Sequence, residues 1–459
     1  YVYWSSPVSN FSLNNVSPGT TGYKYKWIPT IPTNTNGFGN WAGTNETMVL
    51  GKGYIVRGPD SYTTAIAPYN AIFTGTPNNG VISTPIQRST YIGAPYVGPT
   101  STMVTLNDDN WNLVGNPYPS ALNADTFLAT NAATINGFVK IWTHGTLPSS
   151  MVVDPFYQDY QSNYTVADYI TYNSLGSTPP GYNGMIGAGQ GFFVLMNDLG
   201  STNENIIFNN TMRSATFDNS QFYRTSNSNE NSNSIEKHRI WLELVNPAGT
   251  NTKTLVGYAN GASQLLDNAF DAPALGVKAT FEIYSVAENK ELLIQGRSLP
   301  FDENDQIPLG VTAPTNGIYT IALSLVDGLF LQSNQNIYLE DLLLNTIQDL
   351  KAAPYHFTID AGTTSDRFVL RYTNETLGNE DFINENDVFV VSQNQLSVIS
   401  LQEPIQSVLV FDVLGRLLIH KKDQNQLEIP LQEIQKNNAP LVIQIILQNG
   451  KRINKKVVY

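Results

Sequence analysis

Cysteine is absent from this chain. That excludes a disulfide scaffold, a thiolate metal site and a cysteine nucleophile. Histidine is scarce: His144, His238, His356 and His420 lie dozens of residues apart, so no pair has metal-ligand spacing and no Ser-His-Asp or zinc arrangement is favoured. There is no uninterrupted apolar run of about 18 residues, so no segment crosses a membrane as a helix, and no long amphipathic helical pattern appears. The Gly-x-Gly steps at 51–53 and 189–191 lack the third glycine and the helix opening of a nucleotide loop. Charge is low at 14% and lopsided, with a net −13, and an acidic body argues against nucleic acid as a partner.

What the chain has instead is turn-forming and strand-forming residues. Its 34 Gly, 25 Pro and 24 Tyr, with many Asn and Thr, make the composition of an all-β protein with frequent turns. At 459 residues it exceeds a single core, and about two to four domains are expected, built as β-sandwich or jelly-roll modules. Tyr1 is neither an initiator Met nor part of a basic-then-apolar leader, so the chain is read as a mature form or a fragment.

Residues 1–217 read as an internal duplication, about 1–104 and 105–217. The run 4–14 (WSSPVSNFSLN) aligns with 113–123 (LVGNPYPSALN), and 51–57 (GKGYIVR) with 189–195 (GQGFFVL); an apolar stretch follows each, 71–75 in one copy and 206–210 in the other. An insertion in the second copy, roughly 143–183, is rich in tyrosine. Exposed tyrosines present flat apolar faces with polar edges, which suits sugar rings, so Tyr157, Tyr160, Tyr164, Tyr169 and Tyr172 are the candidate surface for a glycan. The alternative is that they simply cover the fold.

Residues 225–234 hold nine Ser, Thr or Asn in ten positions, so 218–237 reads as a flexible linker. From 238 to 373, strands are expected at 239–245, 254–258, 280–285, 292–295, 317–325, 336–340, 355–359 and 367–372, a sandwich or jelly roll. An acidic connector follows at 374–392. Carboxylates on turns, Asp302 with Asp305 and Asp108 with Asp109, supply hard oxygens that would suit calcium, without the spacing of a helix-loop-helix site; solvated turns are the competing reading. No other cofactor is expected, and no enzyme activity.

The last segment, 393–459, is the most informative. Short apolar strands are expected at 396–401, 407–412, 417–420, 427–429, 441–447 and 452–458. Turn signals separate them, among them 413–416 and the Asn449-Gly450 step, the dipeptide best able to supply positive φ in a tight hairpin. The segment carries eight Lys or Arg against five Asp or Glu, a net +3 against −16 for the rest. The lysines of the final strand could meet an acidic surface, or could protect a solvated edge from pairing.

Three motifs in this segment carry a resemblance. The run 407–416 (SVLVFDVLGR), with Val408, Val410, Phe411, Asp412, Gly415 and Arg416, is followed by 441–450 (LVIQIILQNG) and closes on Lys455, Lys456, Val457 and Val458. In that order they resemble the C-terminal sorting domain of proteins exported by the type 9 secretion system of Bacteroidetes, in its less common variant: Asn438-Ala-Pro440 stands where the usual Gly-x-Tyr step enters the penultimate strand. The resemblance implies a small immunoglobulin-like domain read by an outer-membrane β-barrel shuttle and translocon, with the protein secreted or held at the cell surface after cleavage and attachment to lipopolysaccharide or by another route. A looser resemblance joins 296–301, 307–310, 337–341 and 366–371 to a sandwich module that precedes such sorting domains. The expectation is an exported, adhesin-like surface protein; the alternative is a carbohydrate-active or other hydrolytic enzyme carried by the same signal.

Overall fold

The computed structural model describes residues 1–459 except 33–37, 63–66, 90–95, 98–102, 105–109, 144–167, 198–199, 221, 223–234, 275–280, 375–387, 393–394, 402, 423 and 449–451. The chain is all-β: strands dominate, and among the described residues the one α-helix is Ala124–Thr130, capped by the Asn123 side chain accepting from the Thr126 amide. It divides into two compact units, Tyr1–Asn374 and Glu375–Tyr459.

Within the first unit, the aligned motifs occupy matching places. Val2–Trp4 pairs antiparallel with Tyr54–Val56, and Trp111–Gly115 pairs in the same sense with Gly191–Met196. The two Gly-x-Gly steps explain why glycine stands at both ends. Gly51 and Gly189 have φ of +75° and +67°, where a side chain is strained. Gly53 and Gly191 instead lie against the first strand of the other copy: a Cβ on Gly53 would come 2.6 Å from the Val114 carbonyl oxygen, and one on Gly191 2.9 Å from Tyr3 Cβ. Backbone bonds cross reciprocally, from Gly115 to the Gly51 carbonyl and from Ser5 to that of Gly189. A further pair joins the copies, Ile82–Gln87 with Asn203–Phe208. The stretch 71–75 is therefore not the strand equivalent to 206–210: among the described residues no ladder partner reaches it, Ile72 is exposed, and Phe73 packs its ring on Trp4 and Phe11.

Residues 237–371 form one large sheet. Its path runs from Thr346–Asp349 through Tyr338–Asp341, Gly362–Arg371, Gln306–Ala313, Glu282–Ala287, Lys290–Ser298, Asn251–Ala259, Lys237–Val245 and Gly317–Val326 to Tyr355–Ile359. The sheet curls until its ends meet around an apolar core that includes Leu242, Val256, Leu309, Ile321 and Leu370. At the seam, Phe357 stacks edge-on against Phe368 with ring centroids 4.7 Å apart. A polar clasp lies beside it: Arg367 donates to both oxygens of buried Asp341 and to the Thr358 carbonyl, and the Tyr355 hydroxyl donates to Asp341 at 2.8 Å. The strand Gln306–Ala313 was absent from the sequence expectation because Pro308 and Gly310 interrupt its pattern. The register shifts there, and a Cβ on Gly310 would lie 2.0 Å from the Tyr284 ring.

The polar segment before residue 235 separates these regions along the chain without separating them in space. Phe138, Leu175 and Leu195 share a buried cluster with Trp241, Leu255 and Ile294. The Trp241 indole donates to the Ser177 carbonyl at 2.7 Å, and Arg239 donates to that of Leu175.

The second unit is a small antiparallel sandwich. One sheet holds Val388–Val391, Ser397–Ser400 and Glu428–Pro430; the other runs Leu417–Lys421, Ile405–Asp412, Pro440–Leu447, Arg452–Val458. Alternation along Pro440–Leu447 sends Leu441, Ile443, Ile445 and Leu447 inward to pack with Val398, Val408, Val410 and Ile429.

Candidate functional site

The residues of the three C-terminal motifs divide by what they face. Val408 and Val410 are fully buried in the sandwich core, Val457 is half-buried against it, and Phe411 is half-buried. These positions make the fold. The turn after them is built on Asp412: one carboxylate oxygen accepts from the Leu414 and Arg416 amides, the other from Arg416 Nε at 2.6 Å, and Gly415 takes φ +78°. These hydrogen bonds and the Arg416 charge hold the Asp412 carboxyl below its usual pKa. An aspartate, a glycine and an arginine at that spacing are thus what a tight hairpin end requires. Val413, Leu414, Leu417 and Leu418 are exposed around the turn. Lys456 and Val458 are exposed on the edge strand Arg452–Val458, while Lys455 is half-buried. Asn449 and Gly450 lie outside the described residues, but the strands they join pair as a hairpin.

The tyrosine surface fares differently. Tyr157, Tyr160 and Tyr164 lie outside the described residues. Tyr169 and Tyr172, expected on a platform, are core residues at 8% and 6% exposure. Tyr169 packs against Trp142 and Phe193, and its hydroxyl shares a 2.5 Å hydrogen bond with Tyr3; the Tyr172 hydroxyl reaches both Asp125 oxygens at 3.2 Å. Strand alternation cannot reveal this, because a sheet covered on both faces buries every residue of Tyr169–Asn173.

Of the calcium candidates, Asp108 and Asp109 lie outside the described residues. Asp305 is held by Arg297 and accepts from the Tyr258 hydroxyl at 2.8 Å, and Asp302 accepts from the amide and side chain of Asn304. A carboxylate committed to a guanidinium is a clamp on the fold rather than an open ligand. Two more clamps of the same kind hold the large sheet, Arg367 with Asp341 and Arg371 with Glu340.

One constellation was not visible in the sequence. Between the five-stranded sheet of the second copy, Gly176–Thr178, Tyr169–Asn173, Ile135–Trp142, Gly191–Met196 and Trp111–Gly115, and the large sheet lies a cavity of about 190 Å³, lined in part by Lys140, Tyr169, Thr178, Phe281 and Glu282. Lys140 is 1% exposed and Glu282 7%. Residues 142 positions apart carry no local pattern that would join them.

None of the curated proteins compared with this chain matches it. Residues 377–459 match the family described as domain of unknown function DUF8694, in agreement with the boundary of the second compact unit. Residues 1–372 match a second family across most of the chain, and the protein accordingly belongs to the family described as domain of unknown function DUF8693.

Proposed function

We propose that this is an exported surface or secreted protein whose C-terminal unit is the address read by a type 9 secretion apparatus, with Tyr1–Asn374 as the cargo. The observation that supports this reading most is that the motif-bearing residues fold as a unit with its own core, Glu375–Tyr459. A sorting label must keep one shape whatever cargo it carries. The readable surface is then the Asp412–Arg416 turn with its exposed leucines, together with the Lys456 and Val458 edge. The partners are an outer-membrane β-barrel shuttle and the translocon; the cargo, in this reading, is an adhesive module rather than a hydrolase.

The experiment fuses residues 374–459 to a leader-bearing fluorescent protein in a type 9-competent cell. The fusion reaches the exterior, and the intact protein lacking 377–459 stays in the periplasm. Equal export of the truncated and intact chains overturns the proposal. A glycan array and a zymogram on the intact chain separate adhesin from hydrolase by binding without turnover.

A further inference from the structure

The cavity between the two sheets of the first unit is lined by two buried ionisable groups that the rest of the fold leaves incompletely answered. The Lys140 ammonium donates to Thr171 Oγ1 at 3.1 Å and lies 5.9 Å from the Trp111 and Phe138 ring centroids. An ammonium has three donors, and this hydrogen bond uses one. Glu282 lies on the opposing sheet, in the strand Glu282–Ala287. Among the described residues its carboxylate has neither a hydrogen bond nor an ion pair, and it does not touch Lys140. Lys253, also at the cavity, is engaged with Glu243 and with Ser324 Oγ at 2.7 Å.

Burial lowers the pKa of Lys140 and raises that of Glu282, and each charge partly offsets the effect on the other. Two buried ionisable groups facing one cavity without contact are costly for a fold. Replacing both with apolar residues of similar volume is the arrangement that stability alone would favour. A gap between them is instead what a guest carrying both opposite charges would fill. The volume equals that of about six liquid waters, enough for one small amino acid. The apolar faces of Phe281 and Tyr169 beside it suit a short side chain.

We propose that this cavity binds a small zwitterion of the α-amino acid type, its carboxylate on Lys140 and its ammonium on Glu282. The interaction is binding without turnover, and it is independent of how the protein is exported.

The test is calorimetric titration of the intact chain with glycine, L-alanine and L-serine, with acetate and methylammonium as half-ligands and D-glucose as an uncharged probe of comparable size. Saturable binding of at least one amino acid is expected, with both half-ligands weaker. Glu282→Gln weakens it by about tenfold or more, the scale of one charge-assisted hydrogen bond. The double variant Lys140→Met, Glu282→Leu loses binding while its urea midpoint equals or exceeds that of the parent. Heat from glucose alone, no saturable heat from any of the three amino acids, or binding unchanged in folded Glu282→Gln overturns the proposal. So does a double variant that is folded but markedly less stable than the parent, which would make the pair structural.

Discussion

At the scale of single residues, the clasp of Asp341, Arg367 and Tyr355 carries the clearest consequence. Asp341 is fully buried, and Arg367 is its counter-charge. Removing the guanidinium leaves a buried carboxylate uncompensated, so Arg367→Ala should cost about 3–5 kcal/mol in urea unfolding, and Arg367→Lys less. Burial by itself would raise the Asp341 pKa, but the hydrogen bonds from Arg367 and Tyr355 and the Arg367 charge together hold it below the usual carboxylate value. A carboxyl depressed in the folded state contributes stability above its unfolded pKa, and that contribution is lost as pH falls through the folded value. Asp271 behaves oppositely. Burial pushes it up to about 6, against the backbone hydrogen bonds from Gly296 and Asp267. Its contribution is present below the unfolded pKa of 3.8 and declines as pH rises to about 6. Unfolding curves between pH 4 and pH 7 should show a slope that Asp271→Asn flattens, whatever that variant does to absolute stability.

Among the elements, the reciprocal glycines and the Asp412 turn are the points where one residue type is required. Gly53→Ala places a methyl against the Val114 carbonyl and Gly191→Ala against Tyr3. Each should destabilise by about 1–3 kcal/mol, the usual penalty of overpacking, as read from urea midpoints, while Gly22→Ala, with open space beside it, tests the φ penalty alone. At the hairpin end, Gly415 sits at φ +78° in open space, so Gly415→Ala costs only about 1 kcal/mol. Circular dichroism of the second unit should stay native in that variant. Strands from Ser397 onward could be placed from alternation because one face of each sheet is wet, whereas Val388–Val391, read as part of the acidic connector, is a strand of the same unit with Val388 in its core. The strand Gln306–Ala313 could not, since its proline and glycine answer to a register shift and to the Tyr284 ring, neither of which is local.

For the molecule as a whole, the division falls at residue 374 rather than at the Ser/Asn-rich segment before 235. Trp241 and Leu255 on one side of that segment share their burial with Phe138 and Leu195 on the other. A fragment 238–374 should therefore expose an apolar face, and gel filtration should find it aggregated. A fragment 375–459 should elute as a folded monomer. Calorimetry of the intact chain should resolve two transitions, one for each unit.

The sequence by itself determined the all-β class, the repeated Gly-x-Gly steps and the turn chemistry of Asp412, Gly415 and Arg416, because composition, alternation and positive-φ demands act between residues close along the chain. The tertiary structure alone decided that Tyr169 and Tyr172 are core rather than surface, since covering both faces of a sheet is a property of what packs against it. It also decided that Lys140 and Glu282 face one cavity: two strands from distant parts of the chain had to pack against each other before the two groups shared a site.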